Sequence, residues 1–299
     1  MEKIQEKNTM ELPKIYAQSV GQAAIDLTLS VNPLGCSPRV IKALKTMRMQ
    51  DISLYPDSTT LLNALAKIYN VKPEQILLGN GSEQLIKLNA QTMIQPKDRV
   101  CIEQGSFGVF AKEGIIAGGD VKLCSLDDIP SQRPKLTFIA NPKTPTGELI
   151  PKKTILDIQK NINKGILVVD EANGEFITTT MVPSAVKSTN LLVLRTLSKA
   201  YGLAGIRIGC VIGPTALIKK LRERQQPFPV SQIAATPSLA AIQDQAFLEK
   251  TKTFVNRERV FLVRELNKRG FRTSTSVTNN IYVQYTDANM LIKNLNLKT

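Results

Sequence analysis

The strongest constraint on this chain is an alternation: short apolar runs with polar borders recur between segments whose apolar residues fall at helical spacing. The runs cover residues 75–78, 99–102, 121–123, 135–140, 165–170, 190–194 and 208–212. Helical periodicity marks 59–69 and 82–92, and 244–268 reads as a long charged helix. Ser37-Pro38 has the form of an N-cap followed by a helix-starting proline, with Val40, Ile41, Leu44 and Met47 expected on one face. Apolar strands alternating with helices bury both faces of their sheet, so the pattern predicts an α/β protein with a mostly parallel central sheet and helices on both sides. The expected division is an arm at 1–28, a large domain at 29–245 and a small α/β domain at 246–299, with a strand over 280–285.

Composition narrows the chemistry. None of the 299 residues is histidine. That excludes Cys/His zinc sites and Ser-His or Cys-His nucleophilic centres, so no metal is expected. Cys36, Cys101, Cys124 and Cys210 form no C-x-x-C pair and read as buried thiols. No apolar run approaches the roughly 18 residues of a membrane span. The polar N-terminus lacks a signal-peptide core, which makes the cytoplasm the expected location and a membrane an unexpected partner. Lys plus Arg number 39 against 25 acids, a net charge of +14. The cations are spread along solvated helix faces, so the excess favours anionic small molecules over nucleic acid.

Four segments at the ends of expected strands carry candidate chemistry, and strand C-termini are where open α/β sheets place ligands. Gly79-Asn80-Gly81-Ser82 opens a helix, and the backbone N–H groups of Gly81 and Ser82 can hold a phosphate or simply make a turn. Asp170, in Val168-Val169-Asp170-Glu171-Ala172, can face a ligand cation or cap the next segment. Asn141-Pro142-Lys143-Thr144-Pro145-Thr146-Gly147 is a rigid double-proline turn. Finally, Arg195-Thr196-Leu197-Ser198-Lys199 runs on to Gly202, Gly205 and Arg207. There a lysine made nucleophilic by burial would sit beside the hydroxyls and arginine that a phosphate monoester needs.

Together these segments resemble the fold-type I pyridoxal-phosphate aminotransferases, most closely the branch of histidinol-phosphate aminotransferases and threonine-phosphate decarboxylases. The likeness runs from about Leu27 to Val283. It also draws on Asn32-Pro33-Leu34-Gly35 and Tyr55-Pro56-Asp57, and Ser198-Lys199-Ala200-Tyr201-Gly202-Leu203-Ala204-Gly205-x-Arg207 is its most specific part. The resemblance implies that Lys199 forms a Schiff base with pyridoxal 5′-phosphate and acts as general base and acid. It implies that Asp170 pairs with the pyridinium nitrogen. Thr196, Ser198, Arg207, Ser82 and Gly81 would hold the phosphate, and Phe107 would stack on the ring. Tyr55 would reach the partner subunit's cofactor in a homodimer. The implied reaction passes an amino group from an amino acid or amino-alcohol phosphate to a keto acid. The same lysine and aspartate would also serve a decarboxylase, or a cofactor-binding protein with little turnover.

Two features depart from the family pattern. Thr144 and Asn173 stand where the family has an Asn and a Tyr that hydrogen-bond the ring's phenolic oxygen, and Asn173 is expected to supply the amide that Thr144 lacks. The family also continues beyond the strand at 280–285 to an arginine for the substrate carboxylate, so the small domain is expected to be incomplete over 246–299.

Overall fold

A computed structural model describes residues 27, 29–287, 290 and 293, and the arm expected at 1–28 lies outside them except for Leu27. Every apolar run becomes a strand: β1 (Ile76–Asn80), β2 (Arg99–Glu103), β3 (Asp120–Cys124), β4 (Leu136–Ala140), β5 (Ile166–Asp170), β6 (Leu191–Thr196) and β7 (Ile208–Ile212). They form one sheet in the order β1-β7-β6-β5-β4-β2-β3. β7 runs antiparallel to both of its neighbours, and the remaining pairings are parallel. The parallel strands therefore end together at one edge.

Side-chain alternation assigns each strand residue to one of two buried layers. Ile76, Leu78, Leu167, Val169, Leu191, Val193, Ile208, Cys210 and Ile212 join one core. It is covered by α1 (Pro38–Lys45), α3 (Thr59–Tyr69), α6 (Lys152–Asn161), α7 (Val182–Ala185) and α9 (Gln232–Ile242). Leu77, Val168, Leu192, Leu194 and Val211 join the other, beneath α4 (Gly81–Met93), α5 (Gly108–Ile116) and α8 (Thr215–Arg224). A short helix, α2 (Met49–Ser53), lies between α1 and α3.

Local signals set the helix ends. The Ser37 side chain accepts from the Arg39 N–H ahead of Pro38, which fixes the start of α1. Asp244 accepts from Phe247 N–H and starts α10 (Gln245–Lys268), the charged helix expected over 244–268. Two details differ from expectation. Val40 is buried, but Ile41 is 46% exposed and α1 ends before Met47, because the short helix turns only a narrow stripe inward. Over 280–285 only β9 (Val283–Gln284) is a strand, paired with β8 (Arg272–Thr273), since β8 is its only hydrogen-bonding partner among the described residues. No helix among the described residues is long and apolar enough to cross a membrane.

Candidate active site

The C-terminal ends of β5 and β6 carry the central groups. By alternation, Asp170 and Thr196 fall on the α4 side of the sheet. Asp170 is 6% exposed, and among the described residues its Oδ1 accepts only from the Ala172 N–H, at 3.0 Å. Burial pushes its carboxyl up to about 7, with Glu171 adding to the rise and the Ala172 hydrogen bond, Lys199 and Arg195 opposing it. Lys199 follows β6, and its Nζ donates to the Leu29 carbonyl at 2.9 Å. Burial lowers its pKa, Arg207 lowers it further, and Asp170 opposes the change. Asp170 and Lys199 thus sit close enough for each to shift the other's titration.

A polar cup adjoins them. The Thr196 hydroxyl donates to the Ile208 carbonyl at 3.0 Å, accepts from the Ser198 N–H at 3.2 Å, and lies 3.0 Å from the Ser198 hydroxyl. Arg207, in the left-handed region at φ 61°, anchors Nη1 on the Ala204 carbonyl at 3.1 Å. Its guanidinium lies over Gly81, where a Cβ would stand 2.6 Å from Nη2. A Cβ on Gly209 would lie 2.7 Å from Ser82 N, so glycine there lets β7 approach the start of α4. The first turn of α4, Thr196, Ser198 and Arg207 are therefore gathered at one place, although 126 positions separate Gly81 from Arg207.

The remaining candidates are arranged around this centre. Phe107 is the N-cap residue of α5 and meets Phe110 edge-on at 5.7 Å. The Asn173 Nδ2 donates to the Thr144 hydroxyl at 3.4 Å, while Asn173 Oδ1 is buried without a partner. The two unusual residues thus face each other. Tyr55 stands apart: it is 82% exposed and stacks on Phe228, with ring centroids 4.7 Å apart.

The structure also assembles an ion network that the sequence did not reveal. Arg195 donates from Nη1 to Glu171 Oε2 at 2.8 Å and from Nη2 to Glu175 Oε1 at 2.6 Å, with all three residues buried. Its Cζ lies 5.2 Å from the Tyr69 ring centre, and a Cβ on Gly174 would fall 2.0 Å from Nη1. Glu171 also accepts from the Thr180 hydroxyl and the Met181 N–H, both at 2.6 Å. Charge patterning could not pair residues 24 positions apart, but alternation puts Glu171 and Arg195 on the same side of adjacent strands. Another buried carboxylate, Glu103, pairs with Lys143 at 2.6 Å.

Comparison with known proteins settles the affiliation. Residues 23–296 match the aminotransferase class I and II family. The chain belongs to that family. It is 34% identical over 261 residues to histidinol-phosphate aminotransferase 1 of Bacillus thuringiensis subsp. konkukian, covering 82% of this chain and 70% of that protein. It is 34% identical over 295 residues to the histidinol-phosphate aminotransferase of Caldicellulosiruptor saccharolyticus, covering 93% of this chain and 82% of that protein. The fold matches the Sinorhizobium meliloti histidinol-phosphate aminotransferase in complex with pyridoxal-5′-phosphate, with a TM-score of 0.81 at 24% identity, over 85% of this chain and 74% of that one. A threonine-phosphate decarboxylase from Porphyromonas gingivalis has the same fold, with a TM-score of 0.75 at 22% identity, over 87% of this chain and 86% of that one.

This aminotransferase uses pyridoxal phosphate, and its residues fit that group on three observations. Asp170, a buried carboxylate at the end of β5, is in no salt bridge among the described residues, which suits a protonated ring nitrogen. The lack of a side chain at Gly81 lets the Arg207 guanidinium pack against the start of α4, which brings a cation and free helix-start N–H groups together as a phosphate requires. The orphaned Asn173 Oδ1 is a polar atom left for a ligand or its water.

Proposed function

We propose that this aminotransferase takes the amino group from a phosphorylated amino alcohol of the histidinol-phosphate type and passes it to a keto acid. Its relatives at 33–34% identity carry the histidinol-phosphate name, and the chain's +14 charge suits an anionic substrate. The observation that carries the reading is a buried carboxylate outside any salt bridge, Asp170, near a lysine whose pKa is depressed by burial, beside a polar cup.

In this reading Lys199 would hold the cofactor covalently through Nζ. Arg207, Thr196, Ser198 and the N–H groups of Gly81 and Ser82 grip its phosphate. Asp170 keeps a proton on the ring nitrogen, and Phe107 covers the ring. Bound there, the cofactor supplies the electron sink that stabilises negative charge at the substrate Cα. Freed when the substrate amine takes its place on the cofactor, Lys199 Nζ would remove the Cα proton and later return a proton as general acid, work that needs the neutral amine which burial favours. Thr144 and Asn173 jointly serve the phenolic oxygen, with Asn173 supplying the amide.

We further propose a homodimer with Tyr55 crossing to the partner site. In support, the apolar side chains of Met49, Ile52, Leu54, Tyr55 and Phe228 are exposed, with Met49 at 83% and Tyr55 at 82%, and Tyr55 stacks on Phe228. We also propose the division at 29–245 and 246–299, in support of which α10 begins at Gln245 and β8–β9 is a sheet of its own. A cytoplasmic setting suits four free thiols.

The test is to load the protein with pyridoxal phosphate, add histidinol phosphate and a keto acid, and follow the visible spectrum together with amino acid formation. Bleaching with amino transfer supports the reading. Carbon dioxide release from threonine phosphate without transfer would replace it with the decarboxylase, and colour unchanged by every donor would replace it with a binding role.

A further inference from the structure

The opposite edge of the sheet carries a second concentration of charge. The N-terminal ends of β2, β4 and β5 meet there, separated from the Lys199 end by the strand length, ~16 Å for five residues. Between them lies a hollow of about 590 Å³, lined by Asp98, Arg99, Arg133, Lys135, Ile162 and Lys164 among others. The hollow is open to solvent, with Arg133, Lys135 and Lys164 exposed around it.

Its charges are unevenly satisfied. Arg99 is engaged, with Nε on Asp120 at 2.9 Å and Nη1 on Gln132 at 3.0 Å. Asp98, the one acid in the lining, accepts from the Gln95 N–H at 2.8 Å. Arg133, Lys135 and Lys164 have no side-chain partner among the described residues. The three cations come from two separate chain segments, and Arg133 is held in the left-handed region at φ 48° as it caps a short turn. Such backbone is sparsely populated by non-glycine residues and tends to collect at ligand sites. Like charges sharing one concavity focus a positive potential that an anion relieves.

We infer that this hollow binds a small molecule carrying two or more phosphates, of the nucleoside di- or triphosphate class. The Arg133 fork suits two phosphate oxygens, and the two ammonium groups take the remaining charge. No aromatic side chain lines the hollow to stack on successive bases, so the geometry favours a discrete polyphosphate over a nucleic-acid strand. The site is independent of the proposed transamination, and a bound cofactor leaves it open.

The test uses protein loaded with pyridoxal phosphate, so that the cup around Arg207 is filled. Titrate it calorimetrically with ATP, with pyrophosphate and with a short single-stranded DNA at about 0.15 M salt, where long-range attraction is screened. Repeat with a triple variant (Arg133→Gln, Lys135→Gln, Lys164→Gln) and with a charge-matched variant on α8 (Lys219→Gln, Lys220→Gln, Arg224→Gln). The inference requires one equivalent of ATP or pyrophosphate per chain, weakened at least about tenfold in the first variant and unchanged in the second. No saturable binding, equal weakening in both variants, or DNA binding tighter than ATP that is lost in the first variant would each overturn it. Equal affinities for ATP and pyrophosphate would assign recognition to the phosphates alone, and tighter ATP would add the nucleoside.

Discussion

The two faces of the β5–β6 pair differ in how they treat charge. On one side Glu171, Glu175 and Arg195 are buried and paired with one another. On the other, Asp170 is equally buried yet meets only one backbone N–H, and Lys199 rests on a carbonyl. The residues involved are adjacent in sequence: 170 beside 171, and 195 beside 196. Alternation along a strand sends such neighbours to opposite faces, so one face closes its electrostatics internally while the other leaves opposite charges available to a ligand. Closed charge supports the fold, and open charge serves the chemistry.

Substitutions should separate the two faces. The largest effect is expected from Lys199→Ala, which should cut amino transfer by about 10⁴-fold or more, because both the covalent link and the proton carrier are lost. Its melting temperature should stay near that of the parent, and unfolding at room temperature would place Lys199 with the structural charges. Next is Arg195→Met, which leaves Glu171 and Glu175 buried without their cation. It should lose about 3–5 kcal/mol of stability in denaturant titrations. A loss under about 1 kcal/mol would show that the network is no support, since exposed pairs contribute only that much.

Asp170→Asn should act in opposite directions on stability and cofactor binding. The folded pKa of Asp170 is raised to about 7 from an unfolded value near 3.8. Folding therefore favours the protonated acid, and that contribution is complete below the unfolded pKa and lost as pH rises through about 7. At pH 8 the cofactor-free parent carries a buried, unpaired carboxylate, so the amide should stabilise it by roughly 1–3 kcal/mol, with the gain vanishing below pH 4. Affinity for pyridoxal phosphate should fall in the same variant. A variant destabilised at pH 8 would mean that Asp170 has a cation partner in the cofactor-free protein.

The smallest effect is expected from Asn173→Ala. It should shift the pH titration of the bound cofactor's visible absorbance while leaving stability within about 1 kcal/mol, since its one side-chain bond is long at 3.4 Å. An unchanged titration would remove Asn173 from the phenolic oxygen.

Much of this arrangement was legible in the sequence. Seven apolar runs specified seven strands because burial on both faces demands continuous apolar side chains, and the glycine–serine, Asp-Glu-Ala and Ser-Lys segments marked strand ends because ligand sites need backbone freedom and charge there. The helix at 59–69 and the N-cap Ser37 were local facts, set by periodicity and one side chain. Other features depended on chain segments brought together only by folding. These include the antiparallel placement of β7 between β1 and β6, the closure of Arg207 over Gly81, and the facing of Asn173 with Thr144. The pairing of Arg195 with Glu171 and Glu175 belongs with them, as does the gathering of Arg133, Lys135 and Lys164 around one hollow. Sequence by itself determined where the strands and most helices lie and which segments turn, because those follow from each side chain's own chemistry and spacing. Tertiary structure decided which charges meet, because an ion pair between distant segments depends on strand order and face, and no local pattern encodes either.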